Sequence, residues 1–350
     1  MAAGLAVAGG AAAWIGATQL QAPVEAVHFI EYGVLALVLF RAWRQPAPDV
    51  LAYPLSWLSA GLVAWLDEFL QWLMPGRFWD YRDLRLNLLA AGLVLAAIAW
   101  ILRPAGIARA AAVDSRRWLL WLAWTLWLAL GFSLACTPAR VDGLAARCAP
   151  LDFLYNNESV MTEFGHRHQV PGLGTFHSRF SLAELHRRDA EGGDRAGAGL
   201  RTAGGLLEAG DFRRRFPASA DPFLHEAAGH LRRRDHYYAA AWQYRETDPA
   251  RMADHLAVAW GENRILELYF PRTLAAAQRQ WPAERLAACR TGADPAAPFA
   301  SGANGHLITG LTEAQAWLLW LAGAGGLWAG GRKGRPPDRH RGSLLRRPAL

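Results

Sequence analysis

Long apolar segments alternate with short polar ones over the first 136 residues, and one more apolar segment lies near residue 320. These segments are rich in Ala, Leu, Val and Trp, and each is close to the ~20 residues that a helix needs to cross a bilayer. The intervening residues 137–311 carry most of the His and acidic residues. The predicted spans are residues 3–20, 26–43, 50–72, 86–102, 117–136 and 312–330.

This pattern predicts an all-α integral membrane protein with about five N-terminal transmembrane helices, a mostly helical extracytoplasmic domain and one C-terminal transmembrane helix. The first span is the weakest, because it is rich in Ala and Gly and lacks the basic start of a cleaved signal peptide. We divide the chain into a transmembrane domain (1–136), an extracytoplasmic domain (137–311), a final span (312–330) and a basic cytoplasmic tail (331–350).

Basic residues are concentrated beside the apolar segments. The formal net charge is +7, from 37 basic and 30 acidic residues, and Lys333 is the only lysine. The clusters at residues 103–117 and 332–347 fit the excess of basic residues on cytoplasmic loops better than a nucleic-acid surface. We therefore expect a multi-pass protein of the bacterial inner (cytoplasmic) membrane, with a cytoplasmic C-terminus and no nucleic-acid partner.

Polar side chains gather at the predicted outer ends of spans two, three and four. His28, Glu31 and Tyr32 share one helix face by their spacing, while Asp67 and Glu68 end an apolar segment. Ionisable groups at membrane depth are costly and usually have a function there. The candidate ligand-binding cluster comprises His28, Glu31, Tyr32, Asp67, Glu68, Gln71, Arg77, Asp80, Asp83 and Asn87.

The order of these residues resembles the VanZ-like family of bacterial membrane proteins over about the first 100 residues. The resemblance implies four or more transmembrane helices, and the family is named for a glycopeptide-resistance protein associated with teicoplanin. The insert at 137–311 is not covered by it. The matching pieces are His28-Phe29-Ile30-Glu31-Tyr32, Asp67-Glu68-Phe69-Leu70-Gln71, Pro75-Gly76-Arg77 and Asp83-Leu84-Arg85-Leu86-Asn87.

The leading hypothesis is that the cluster binds an envelope lipid, a lipid-linked precursor or a glycopeptide antibiotic, with teicoplanin-type resistance implied by the resemblance. A second hypothesis is a membrane-embedded acid/base hydrolase or transferase, with Asp67 or Glu68 as general base and His28 as partner. A third is a membrane anchor whose extracytoplasmic domain recruits a periplasmic protein. The polar groups could also simply hold helices together, at about 0.6–2 kcal/mol per contact. We expect no cofactor.

Arg77 follows the turn signal Pro75-Gly76, so it could fold back to pair with either carboxylate. Asp67 and Glu68 are consecutive, so on a helix they point about 100° apart. One of them would then face span two while the other faces the loop or span four.

Helix signals dominate the extracytoplasmic domain, and no strand-rich pattern competes. Ser181 and Glu184 form a capping box that predicts a helix to about Asp189. Asp221-Pro222 predicts a helix to about Asp235, and Asp248-Pro249 predicts one that ends before Pro271. The glycine-rich run at residues 192–210 favours a loop.

The histidines of this domain do not form a metal motif. His225 and His230 are five residues apart, whereas two zinc ligands on one helix face need a spacing of four. His166 and His168 would share one side of a strand. We expect no metal site, and we expect the arginine runs at 213–215 and 232–234 to be solvated.

Three cysteines are too few for a disulfide scaffold. A bridge between Cys148 and Cys289 is the simplest possibility outside the cytoplasm. Cys136 could compete for a partner, or all three thiols could stay reduced.

Overall fold

The structure is a computed structural model that describes residues 23–75, 77, 79–154, 160–203, 218–292, 299–303 and 309–333. Over these residues the protein is mostly helical, as predicted. The helices are α1 (Pro23–Trp43), α2 (Ala52–Trp72), α3 (Tyr81–Ala97), α4 (Val113–Ala135), α5 (Pro138–Ala145), α6 (Leu182–Thr202), α7 (Pro222–Ala241), α8 (Pro249–Tyr269), α9 (Pro271–Ala276), α10 (Ala283–Gly292) and α11 (Glu313–Lys333). The strands are β1 (His166–Val170) and β2 (Gly174–Ser178).

Helices α1 to α4 and α11 lie at five of the six predicted spans. Two stretches, Tyr81–Leu102 and Val113–Ala135, are long and apolar enough to cross a membrane by length and composition. The first of these is α3 with its π-helical continuation, Ile98–Leu102. The total of five N-terminal spans stays a prediction, and residues 3–20 lie outside the described residues.

The chain divides into two compact units. The first comprises Met1–Glu68, Arg82–Gly131 and Trp317–Leu350, and the second comprises Phe69–Tyr81 and Phe132–Ala316. Each unit has a core of its own.

In the first unit, α4 and α11 are joined by a reciprocal contact of two tryptophans. Trp127 Nε1 donates to the Trp320 carbonyl oxygen at 3.1 Å, and Trp320 Nε1 donates to the Trp127 carbonyl oxygen at 2.9 Å. Each ring lies where a glycine of the other helix leaves room. A Cβ at Gly131 would lie 2.7 Å from Trp320, and one at Gly323 would lie 2.2 Å from Trp127. The contact therefore depends on glycine at both positions.

Asp49 ties the start of α2 to the start of α4 in the same unit. Its carboxylate accepts hydrogen bonds from the Leu51 N–H at 2.8 Å, the Ala112 N–H at 3.0 Å and the Ser115 hydroxyl at 2.6 Å. Burial opposes the charge, but these hydrogen bonds and the nearby Arg116 outweigh it and lower the pKa of Asp49. One capping carboxylate thus satisfies the free N–H groups of two helix starts.

The second unit contains a β-hairpin. The sequence predicted helices and no strands for this part of the chain, so the hairpin is a correction to that prediction. β1 and β2 pair antiparallel, from His166 opposite Ser178 to Val170 opposite Gly174. The turn needs positive φ at Gly172 (70°) and Gly174 (112°), which only glycine adopts without strain. The predicted sharing of one strand face is confirmed, because the rings of His166 and His168 stack with centroids 5.7 Å apart.

The predicted helix starts of this unit are confirmed. Ser181 and Glu184 make both hydrogen bonds of the capping box, and these bonds lower the pKa of Glu184. Asp221 accepts from the Leu224 N–H at 3.0 Å, and Asp248 accepts from the Arg251 N–H at 3.0 Å. The helix that follows Asp221 extends beyond the predicted Asp235 to Ala241, whereas α8 ends before Pro271 as predicted.

Helix α6 continues through the first part of the glycine-rich run, so the prediction of a loop there was wrong up to Thr202. The glycines allow α9 to approach: a Cβ at Gly197 would lie 2.5 Å from the Thr273 carbonyl oxygen. Asp189 on α6 also accepts from the Arg272 N–H at 2.8 Å and the Thr273 N–H at 3.0 Å, which caps α9. Packing against a second helix outweighs the poor helix propensity of glycine. Residues 204–210 lie outside the described residues.

The core of the second unit lies between the hairpin and the helices α6 to α9. The members are buried aromatic and aliphatic side chains, among them Phe176, Leu185, Leu224, Ile265, Leu266 and Phe270. A smaller cluster around Trp281 packs α10 against α7 and α8.

All three cysteines are free thiols in the structure, as in the alternative that all three stay reduced. Cys136 and Cys289 are buried, and Cys148 is half-buried. Burial raises the pKa of Cys289 to about 11. Because the thiolate is the reactive form, Cys289 is protected from oxidation near neutral pH.

Two glycines of α6 provide a matched test of the α6–α9 packing. We expect Gly197→Ala to destabilise the second unit by about 1–3 kcal/mol, because its Cβ overlaps backbone atoms of α9. We expect Gly192→Ala to stabilise it by about 0.5–1 kcal/mol, because nothing lies within 4 Å of that Cβ and alanine favours a helix. Hydrogen exchange of the α6 and α9 amides measures both effects. Equal protection in the two variants would contradict this packing.

Candidate functional site

A cluster of acidic side chains surrounds one tyrosine in the first unit. Tyr32 on α1 is 5% exposed, and Glu68 on α2 is 2% exposed. The Tyr32 hydroxyl donates a hydrogen bond to the Asp67 carboxylate, and it also lies within electrostatic reach of Glu68 and Glu31. We call Glu31, Tyr32, Asp67 and Glu68 the acid–tyrosine cluster. Two helices supply its members, as the sequence predicts.

The other predicted residues of the first unit lie on α1 and α3. His28 Nδ1 lies 3.4 Å from the Glu31 carboxylate, one helical turn away, with both side chains partly exposed. Asp83 lies in the first turn of α3, where a carboxylate favours the helix dipole. Asn87 is 2% exposed, and its Oδ1 has no hydrogen-bond partner among the described residues.

Three predicted site residues fall in the second unit: Gln71, Arg77 and Asp80. Arg77 is exposed, and its guanidinium donates to the Gln71 side-chain oxygen. This amide contact takes the place of the carboxylate pairing considered from the sequence. The ten predicted residues are thus divided between the two units, and the complete cluster stays a prediction.

The second unit holds a buried ion-pair network that the sequence did not reveal. Arg179 follows β2 and lies between two carboxylates that are both about 5% exposed or less. Its Nε donates to Glu163, and its backbone N–H donates to Glu226 at 3.0 Å. Burial alone would lower the pKa of Arg179, but the charges of Glu163 and Glu226 outweigh burial and raise it.

A second group of buried polar contacts joins α7 to α8. His230 Nδ1 lies 2.7 Å from the Glu262 carboxylate, and the Ser301 hydroxyl donates to the same carboxylate at 2.7 Å. Arg233 Nε lies 3.0 Å from it. The serine contacts the carboxylate rather than the imidazole, so this arrangement is not a nucleophilic triad. His230 and Glu262 are fully buried, which makes them positioning groups between helices.

The arginine run of α7 corrects the expectation of a solvated face. Arg232 is exposed, but Arg234 is 1% exposed. The Arg234 guanidinium donates to the Asn263 side chain at 3.1 Å and to the Arg279 carbonyl oxygen at 3.0 Å. It also lies over the Trp281 ring, 4.7 Å from the centroid. Burial lowers the pKa of Arg234, and the Asp235 carboxylate 2.8 Å away only partly offsets this effect.

Two histidines of the hairpin, His168 and His177, favour the neutral form more strongly than a solvated histidine does. Burial lowers the pKa of both His168 and His177, and the charge of Arg167 lowers that of His177 further. His168 Nε2 lies 2.9 Å from the Phe180 carbonyl oxygen, which identifies this nitrogen as the protonated one. Within the described residues, no group of three or more His, Cys, Asp or Glu side chains is placed to hold a metal ion.

Residues 10–103 match a family model described as VanZ/LLP1. This match confirms the resemblance seen in the N-terminal sequence and covers a little over a quarter of the chain. Together with the two long apolar helices, it indicates a membrane protein with a VanZ-like N-terminal domain. The comparison with curated proteins gives no match, and neither does the comparison with solved structures.

Arg179 allows a test of the buried network. We expect Arg179→Met to destabilise the second unit by about 3–5 kcal/mol, because it leaves Glu163 and Glu226 buried without their cation. Arg187→Met removes an exposed arginine of α6 and should change stability by no more than about 0.5 kcal/mol. Urea denaturation of the full chain in detergent compares the two. An Arg179→Met protein as stable as the wild type would show that the network is dispensable.

Proposed function

We propose that the chain is a VanZ-like envelope protein whose acid–tyrosine cluster binds a polar envelope molecule. The candidates are an envelope lipid headgroup, a lipid-linked precursor and a glycopeptide such as teicoplanin. The observation that carries the proposal is the convergence of Tyr32, Asp67 and Glu68 from two helices: Tyr32 and Glu68 are buried, and the Tyr32 hydroxyl is hydrogen-bonded to Asp67.

The chemistry of the cluster favours a ligand rich in hydrogen-bond donors. Ionised carboxylates only accept hydrogen bonds, so Glu31, Asp67 and Glu68 would receive ammonium, amide or hydroxyl groups. Aminosugars, peptides and ethanolamine headgroups all supply such donors. Charge-assisted hydrogen bonds of this kind are roughly twice as strong as neutral ones. Simple helix pairing needs fewer carboxylates than are gathered here.

Two conservative variants test the proposal. Tyr32→Phe removes only the hydroxyl that contacts Asp67, and Glu68→Gln removes one charge at nearly constant shape. We expect each to weaken binding of the ligand by about 10- to 100-fold, the value of one hydrogen bond to a charged group. Asp114→Asn, which removes an exposed carboxylate, should have no effect.

Two measurements test this. Mass spectrometry identifies the lipids that the purified full chain retains. A growth assay on teicoplanin compares deletion strains that each carry one of the variants. The proposal predicts that Tyr32→Phe and Glu68→Gln behave like the deletion at wild-type protein abundance. If a variant protein is less abundant, but each remaining molecule retains the same lipids and supports the same growth as the wild type, the cluster only holds helices together. Teicoplanin sensitivity that is unchanged by deletion, with the same lipids retained by every variant, would rule the proposal out.

A further inference from the structure

A groove of about 680 Å³ lies between the first half of α4 and the end of α11, within the first unit. Its volume is in the range of sites that bind small molecules. Its walls combine cationic and aromatic side chains from both helices. They include Arg116, Arg117, Trp121, Trp124, Trp328 and Arg332.

The arginines of the groove are not neutralised by the protein. Within the described residues, neither Arg117 nor Arg332 forms an ion pair. Arg116 feels the charge of Asp49, but hydrogen bonds from other groups already occupy that carboxylate. Asp114 is the remaining acid near the start of α4, and it is exposed outside the groove lining. An anion would therefore find two guanidinium groups available.

The Arg332 guanidinium is held in place by an aromatic ring. It stacks on Trp328, one helical turn earlier, with 4.1 Å between the guanidinium carbon and the ring centroid. Stacking leaves the N–H edge of a guanidinium free to bind phosphate oxygens in a fork. Trp328 thus orients a phosphate-binding group at the end of α11.

The groove changes from cationic to apolar along the helices. On α4, Trp121 and Trp124 follow Arg117 by about 6 Å and 10 Å of helix rise. Trp121 is 72% exposed and Trp328 is 57% exposed, an arrangement typical of side chains at a membrane interface. A soluble anion needs no such apolar wall, whereas a phospholipid presents a phosphate joined to acyl chains.

We propose that this groove binds an anionic phospholipid, with the phosphate on Arg117 and Arg332 and an acyl chain along Trp121 and Trp124. Basic pockets between membrane helices commonly take anionic headgroups. The site is separate from the acid–tyrosine cluster, whose charge is of the opposite sign. It gives the arginines a binding role in addition to the topological one predicted from the sequence.

Native mass spectrometry of the full chain in detergent tests the proposal, with phosphatidylglycerol and phosphatidylcholine as probes. We expect phosphatidylglycerol to bind more tightly, and added salt to weaken only phosphatidylglycerol binding. The double variant Arg117→Gln with Arg332→Gln should lose about 30-fold in phosphatidylglycerol affinity, from two basic residues near the lipid. The matched control Arg41→Gln removes an exposed arginine outside the groove and should bind as the wild type does.

A steric variant keeps the charges and fills the space. A Cβ at Gly331 would lie 3.6 Å from Leu120, so Gly331→Ala should bind normally while Gly331→Leu occupies the groove and blocks the lipid. Equal affinity of the wild type for both lipids would overturn the proposal. So would an equal loss with Arg41→Gln, or displacement of phosphatidylglycerol by inorganic phosphate alone, since that would identify an anion site rather than a lipid site.

Discussion

The reciprocal contact of Trp127 and Trp320 is the constraint on which the first unit depends. The chain leaves this unit after Gly131 and returns at Trp317, so the last helix must find α4 across a long insertion. The two half-buried indole N–H groups each find an acceptor, because the pairing of α4 with α11, with glycines at 131 and 323, brings both carbonyl oxygens within reach. Closing a long loop costs little more entropy than closing a short one. A few specific contacts are therefore enough to bring α11 back.

Buried charged residues hold the second unit together through ion pairs and hydrogen bonds. In the second unit, Glu163 and Glu226 are compensated by Arg179, and Glu262 is compensated by His230, Ser301 and Arg233. These networks hold α7, α8 and the hairpin together, and their charged groups are largely buried. In the first unit, carboxylates gather around Tyr32. The convergence of these groups from two helices is why we propose ligand binding in the first unit, and the burial of His230 and Glu262 between helices is why we assign them a positioning role in the second.

The sequence predicted the helices well wherever local signals were strong. The caps at Ser181, Asp221 and Asp248 specify helix starts through neighbouring atoms alone, so no tertiary information is needed. The hairpin was missed because its strands are only five residues long, and helix α6 was misread because its glycines act through α9, which lies about 80 residues later. Local patterns cannot show a partner that is distant in sequence.

The candidate site was predictable in part for the same reason. Helical spacing placed Glu31 and Tyr32 on one turn, and the apolar segment ending in Asp67 and Glu68 marked the facing helix. Arg234 was expected on a solvated face, and nothing in the sequence indicated that Arg179 and Glu262 are buried, because most of their partners come from other helices or loops. Their burial follows from tertiary pairing and has no local signal.

The return of α11 to α4 is the central claim, and a distance measurement by electron paramagnetic resonance tests it most directly. Spin labels would be placed at Leu120→Cys and Gly331→Cys, with the three native cysteines replaced by alanine. These positions contact across the groove, so a single short distance is expected. A 21-residue helix is about 30 Å long. A distance of that size between the labels, or a broad distribution of distances, would contradict the pairing of α4 with α11.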